Sequence, residues 1–378
     1  MKDKNMDKVD FVFPFVDCNE TVWQETYKEE RRKQDLPTEI NKVRYREWGS
    51  LKYLLRGIEK FMPWIGNVYI IVSNKEQIPD WVNTNEVKVV LHSDIIPQEF
   101  LPTFNSCTIE MFLGNIKGLS ERFIYGNDDM FPLKPMTEEE FYTNAIPKLS
   151  VKTDSGLNTM FKKVEWKTLK IIGEHFGKEL PDPEQEFLKL PHTIVPMTKE
   201  TARVCGTFFK PEIYSSISSF RKNKNINQYL YTYYQLFSGN YLDGNRSYKY
   251  VSFKGGYPLD KAEEIATAIR NQTHETICIN DCLEFETDEI FEAVKAKINA
   301  AFEEILPNPS KYELSTSAIE NRLNIFKWLN KIGATFVFKN DAEVDTFING
   351  VTNTIKSIEK ARNPVEDTSS ADSTDSES

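Results

Sequence analysis

Three short apolar runs constrain this chain more than anything else in it: residues 11–16, 68–72 and 123–125 are β-prone and stop at Asp17, at Ser73-Asn74 and at Asn127-Asp128-Asp129. A run without polar alternation reads as a strand buried on both faces, and such strands belong to parallel sheets. A fourth, 87–91, ends at His92. The intervals carry helical spacing: Trp48, Leu51, Leu55, Ile58 and Met62 recur every three or four residues, and Ser106 is placed to cap a stretch bearing Ile109, Phe112, Ile116 and Leu119. Strand and helix in alternation predict an α/β fold around a mainly parallel central sheet. Ligands of open α/β sheets sit beyond the carboxyl ends of the strands, so Asp17 and the Asn127-Asp128-Asp129 turn mark the first half as the site-bearing half.

Beyond residue 136 the pattern loosens. Residues 136–190 contain charged, Pro-bearing stretches such as 179–186 and read as an insertion or lid, while the aromatic stretch 229–237 reads as helix packing rather than a sugar platform. Residues 314–362 read as a helical extension with an apolar run at 334–338, and 363–378, almost without apolar residues, as a disordered acidic tail. A chain of 378 residues, 40% hydrophobic, suffices for one elaborated domain or two. Its net charge of -10 argues against a nucleic-acid binder, which needs a basic face to displace counterions. The charged N-terminus lacks the pattern of a secretory leader, and no run approaches the roughly 20 apolar residues of a bilayer-crossing helix. The five cysteines are scattered and odd in number, which argues against a disulfide framework. A cytoplasmic protein with reduced thiols is expected, meeting membrane only peripherally, at its inner face.

There is no GxxxxGK[ST] loop, no GxGxxG after a strand, no HExxH and no GxSxG, so ATPase, Rossmann dehydrogenase, zinc protease and serine hydrolase chemistry lose support. His274, Cys278 and Cys282 are spaced four apart and would share a face if helical, but three ligands fall short of the four of a structural zinc site. A core segment of small residues is the favoured reading there. The Asn127-Asp128-Asp129 turn is the first candidate with chemistry, because adjacent carboxylates past a strand end can hold one divalent cation and so neutralise a diphosphate. Taken alone it reads more readily as a plain turn.

Its surroundings shift that balance. The stretch from Arg44-Tyr45-Arg46-Glu47-Trp48-Gly49-Ser50 to Arg56, then residues 58–64, Leu101-Pro102-Thr103-Phe104-Asn105-Ser106 with Ile109-Glu110, and 123–130 resembles the second signature region of the Stealth family of sugar-1-phosphate transferases. Residues 10–20, with Asp10 and Val16-Asp17, resemble the family's opening motif, although Cys18 stands where Gly is usual. A looser third block holds His192, Pro196, Phe220-Arg221 and the Tyr-rich stretch to Gly239; a fourth opens at Cys278-Ile279-Asn280-Asp281 and closes at Glu313.

The resemblance implies a nucleotide-sugar transferase (GT-A-like) fold over residues 1–313 and a reaction in which an acceptor hydroxyl attacks the phosphorus nearest the sugar of a nucleotide diphosphate sugar. It further implies Mg²⁺ or Mn²⁺ on Asp128 and Asp129, with Asn280 and Asp281 completing or buttressing the site. Arg221 would clamp phosphoryl oxygens, and His192 would be the general base, with Asp17 as the alternative. Asp10, Arg44, Arg46, Asn105 and Asn127 fall to substrate binding, while Arg56 reads equally as a fold-stabilising ion pair. The implied partners are a nucleotide sugar, UDP-linked in the first expectation, and a glycan acceptor, lipid-linked acceptors included. Two other readings stay open: a metal-dependent glycosyltransferase that releases a nucleoside diphosphate, and a non-catalytic assembly scaffold.

Overall fold

The computed structural model describes residues 8–282, 287–315, 325 and 341–362; the apolar run at 334–338 and the tail 363–378 lie outside the described residues. The chain divides into two compact units, Met1–Glu313 and Leu314–Ser378. In the second, the helix Asp341–Arg362 buries Ile348 together with Ile325.

The strands of the first unit are, in chain order, β1 (Val9–Pro14), β2 (Ile65–Val72), β3 (Val87–Leu91), β4 (Arg122–Tyr125), β5 (Met130–Pro132), β6 (Tyr142–Thr143), β7 (Ile146–Leu149), β8 (Lys152–Asp154), β9 (Phe187–Lys189), β10 (Val195–Thr198), β11 (Leu242–Asp243), β12 (Tyr248–Ser252) and β13 (Thr276–Asn280). Its α-helices are α1 (Thr21–Lys33), α2 (Lys42–Tyr45), α3 (Leu51–Phe61), α4 (His92–Ile95), α5 (Ser106–Glu110), α6 (Met160–His175), α7 (Lys199–Phe208), α8 (Lys210–Ser216), α9 (Tyr229–Ser238), α10 (Pro258–Arg270) and α11 (Asp288–Ile305).

The central sheet runs β10-β4-β1-β2-β3; β1 to β4 are parallel and β10 is antiparallel to β4. The apolar runs are therefore the buried parallel strands their composition predicts. Their alternate residues feed two cores: Phe11, Phe13, Val68, Ile70 and Ile124 face the layer containing α3, α10 and α11, while Val12, Ile71, Phe123 and Tyr125 face the layer containing α6, α7 and α9. A second sheet, β12-β13-β5, pairs β12 parallel and β5 antiparallel to β13. Because residues 276–280 form a strand, His274, Cys278 and Cys282 do not share a helical face as their spacing allowed.

Two helices differ from the reading of their spacing. Helix α3 begins at Leu51, after Trp48, and Glu47 rather than a hydroxyl closes its entrance, accepting from Ser50 N at 2.9 Å. Helix α5 is capped by Asn105, which accepts from Cys107 N, and stops at Glu110. The Ser106 hydroxyl is turned instead to Arg221 Nη2. Residues 136–190 are more embedded than their composition suggests, since Val164, Leu169 and Ile172 of α6 are fully buried beside α9. Tyr229, Tyr231 and Tyr233 of α9 are buried in the same core, so that aromatic stretch is helix packing. Arg56 is also structural: its guanidinium binds both oxygens of Glu313 at 2.8 Å and donates to Leu306 O.

Candidate active site

A cavity of about 1010 Å³ opens where the parallel strands end, lined by Val16 after β1, Ser73 after β2, His92 after β3 and Asn127, Asp128 and Asp129 after β4. The turn at 126–129 is the joint between the two sheets, because β4 ends in the first and β5 begins in the second. Gly126 makes the crossing possible: a Cβ there would stand 3.1 Å from Ile194 and 3.2 Å from the Phe11 ring. Antiparallel pairing of β10 with β4, Val195 opposite Tyr125, carries His192 to the turn. Pairing of β13 with β5, Cys278 opposite Met130, brings Cys278 beside Asp129, and Ile279 N donates to Asp129 O at 2.9 Å.

The electrostatics follow from this crowding of half-dehydrated carboxyls. Burial, then Asp129 and Glu47, pushes the Asp128 carboxyl up to about 8. Burial also raises Asp129, against the pull of His192 and a hydrogen bond from the Cys278 thiol, whose Sγ lies 3.4 Å from Oδ2. Among the described residues, Asp129 Oδ1 and His192 Nδ1 are buried with no hydrogen-bond partner. Burial lowers His192 below the ordinary histidine value, which keeps the imidazole neutral near pH 7. Its ring sits between Phe161 and Tyr250, with centroids at 5.6 and 5.8 Å.

Two arginines, Arg44 and Arg221, line the same cavity as these acids. Arg44 is lowered by burial and then by its neighbour Arg221, and no carboxylate pairs with it among the described residues. Burial works against the Arg221 charge, but Cys107 and Glu110 hold it above its usual value, and its Nε is buried without a hydrogen-bond partner. A like-charged, partly dehydrated guanidinium pair is an anion site in waiting. The carboxylates of the same cavity, with an orphaned buried oxygen, fit a divalent cation.

The residues expected from the sequence separate into two groups. Asn127, Asp128, Asp129, His192, Arg44, Arg46, Arg221, Asn280 and Asp281 all line the cavity. Asp281 is not a free ligand, however, because Arg46 grips both of its oxygens and Trp48 Nε1 donates to Oδ2 at 3.1 Å. Arg46 and Asp281 therefore brace the wall against each other. Asn280 donates to the Tyr250 hydroxyl. The other three do not line it. Asp17 folds onto its own turn, where Oδ1 accepts from Asn19 N and Nδ2 at 2.9 Å. Asp10, at the start of β1, is fully buried and binds Asn67 and Ser120 N at the opposite end of the strand. Asn105 is buried and tied to Thr108, Ser218 and Asn225. Cys18 is buried among Trp23, Tyr27 and Phe104, so its backbone does not need the room a glycine would give.

Sequence reasoning missed Cys278 and Glu47 as neighbours of the acidic turn. Cys278 was legible only through strand register, since it stands two residues before Asn280 on β13.

The family model described as Stealth protein CR2, conserved region 2, matches residues 44–149, and that of Stealth protein CR4, conserved region 4, matches 267–324. The capsular polysaccharide phosphotransferase WcwK of Streptococcus pneumoniae is 29% identical over 342 residues, covering 82% of this chain and 99% of that protein. The receptor polysaccharide phosphotransferase WefC of Streptococcus gordonii is 29% identical over 350 residues, covering 82% and 100%. The exopolysaccharide phosphotransferase cps2G of Lactiplantibacillus plantarum is 28% identical over 343 residues, covering 81% and 96%. Among solved structures, the galactosyltransferase LgtC with donor and acceptor sugar analogs is 10% identical and covers 76% of this chain and 96% of that one. The TM-score of that match is 0.36. The chain thus carries matches to two conserved regions of the Stealth proteins, region 2 containing the acidic turn and region 4 the strand beside it.

Proposed function

We propose that the chain transfers a sugar-1-phosphate unit from a nucleotide diphosphate sugar to a glycan hydroxyl, forming the phosphodiester of a capsular polysaccharide or exopolysaccharide. The observation that carries this reading is the convergence, in one cavity at the strand ends, of the Asp128–Asp129 turn with Arg44 and Arg221. That arrangement is complementary to a cation and a diphosphate together. The named relatives, alike over most of the chain, support it.

When bound, Mg²⁺ or Mn²⁺ supplies charge neutralisation on the diphosphate, and Asp128 and Asp129 would hold it, with Asn127 and Asn280 alongside. Arg221 and Arg44 hold phosphoryl oxygens, Arg221 through the planar fork that matches them. The acceptor oxygen bonds to the phosphorus nearest the sugar as the bond from that phosphorus to the nucleotide oxygen breaks. A nucleoside monophosphate leaves with the electron pair, and the acceptor's proton passes to neutral His192. Arg46 and Asp281 keep the wall fixed while this happens. In this reading the donor is UDP-linked, lipid-linked glycans are among the acceptors, and the reaction takes place at the cytoplasmic face of the membrane. No helix among the described residues is long and apolar enough to cross a membrane.

Incubation with a panel of nucleotide sugars and an acceptor glycan, followed by identification of the released nucleotide, tests the proposal. A nucleoside monophosphate is expected. A nucleoside diphosphate would assign a glycosyltransferase instead, and absence of donor and metal binding would favour a scaffold.

A further inference from the structure

The donor atoms nearest Asp129 are not the set a hard cation selects. Asp129 offers a carboxylate oxygen, His192 a ring nitrogen and Cys278 its sulfur, and all three lie within 4.8 Å of one another. Mg²⁺ favours octahedral oxygen ligands, whereas a borderline cation such as Zn²⁺ accepts sulfur, nitrogen and oxygen in one small shell. The trio is largely dehydrated before any ion arrives: Cys278 is 2% exposed, and Asp129 Oδ1 and His192 Nδ1 are the orphaned buried atoms described above. It is also rigidly mounted. The Thr193 and Thr276 hydroxyls are 2.7 Å apart and tie the His192 segment to β13, while the Ile279 N to Asp129 O bond ties β13 to the turn.

We propose that Asp129, His192 and Cys278 form a binding site for a thiophilic transition cation of the Zn²⁺ type, and that its occupancy stops the transfer reaction by engaging His192. On binding, the Cys278 S–H bond breaks, the proton leaves to solvent, and the sulfur lone pair makes the bond to the metal. The His192 nitrogen lone pair is then no longer open to the acceptor's proton. Mg²⁺, with little affinity for sulfur, does not draw His192 and Cys278 in this way. The binding half of the proposal stands on the donor set; the inhibitory half rests on the transferase reading with His192 as base.

The test uses the full chain, stripped with chelator and titrated with Co²⁺. The expected result is a thiolate-to-cobalt charge-transfer band in the near ultraviolet, bleached by Zn²⁺ and absent in Cys278→Ser and in His192→Gln. A wild-type titration without that band overturns the site, as does a band unchanged in both variants. Nucleoside monophosphate release is then followed in excess Mg²⁺ with rising Zn²⁺. With each rate taken relative to its own Zn²⁺-free value, wild type should be silenced at the Zn²⁺ level that bleaches the cobalt spectrum, whereas Cys278→Ser should require at least about tenfold more Zn²⁺ for the same loss. Zn²⁺ that fills the site without slowing release overturns the inhibitory half. Cobalt binding in a chain that turns over no donor overturns the transferase reading and the inhibitory half together, and leaves the binding site standing.

Discussion

At the scale of single residues, the cavity depends on side chains whose ordinary solvation has been taken away. Asp129 is the sharpest case, with one oxygen orphaned and the other accepting from a thiol. Asp129→Asn keeps the shape and removes the charge, so turnover should fall by at least about 10²-fold, as for other removed electrostatic contacts, while the circular dichroism spectrum stays that of wild type. An unfolded spectrum would make the turn structural instead. Arg221→Lys is expected to be nearly as damaging, because Lys retains a point charge but not the fork, and Nη2 already holds the Ser106 hydroxyl in place. Single-turnover rates compared with equilibrium donor binding check this; near-normal rates would remove Arg221 from the phosphoryl group. Which residues would line the cavity was readable where chemistry and position coincide, as at the turn after β4. It was not readable for Asp10 and Asn105, whose residue types suit a ligand but whose carboxylate and amide are consumed by backbone and side-chain partners that only the folded chain brings near.

At the scale of elements, Asn105 becomes a test of that distinction. It caps α5 and satisfies Ser218 and Asn225 on either side of Arg221, so Asn105→Ala should cost roughly 2–4 kcal/mol in chemical denaturation, the sum of a lost cap and newly orphaned partners. Donor affinity in the folded fraction should be unchanged; a selective loss of affinity would return Asn105 to the ligand. Helix α6 carries a second test in Glu165, which burial raises to about 7 even though Leu190 N donates to it at 3.0 Å. Its folded value lies above its unfolded one, so the associated stability is full below about pH 4.5 and is lost as pH rises through about 7, by up to roughly 3 kcal/mol. Glu165→Gln should flatten that slope in urea melts at pH 5, 6, 7 and 8. A slope unaltered in the variant would place its origin elsewhere. The strands were legible because unbroken apolar runs have few other readings, whereas α5 and α6 were not. Ser106 and Asn105 are both good caps, and only the competing bond to Arg221 decides between them; α6 buries a narrow stripe amid lysines, and its sequence alone resembles a surface segment.

At the scale of the whole molecule, a cation that binds the folded cavity alone must stabilise the entire first unit. Thermal or urea unfolding of the chelated chain should shift upward on adding Mg²⁺ or Mn²⁺, by about 2.7 kcal/mol at a hundred times the dissociation constant, and the shift should vanish in Asp129→Asn. No shift at any concentration would remove the divalent cation from the cavity. The floor of that cavity is made from three stretches far apart in the chain: the turn after β4, the residues leading into β10, and β13. A ribosome delivers them in that order. Until residue 280 has emerged, β5 has no antiparallel partner and the acidic turn no β13 beside it, so under the proposed reaction every shorter nascent chain should be mute toward its donor, however well its central sheet has formed. A single cut in an exposed loop between β10 and β13 would yield two fragments, each silent alone, that regain the reaction only by reassociating.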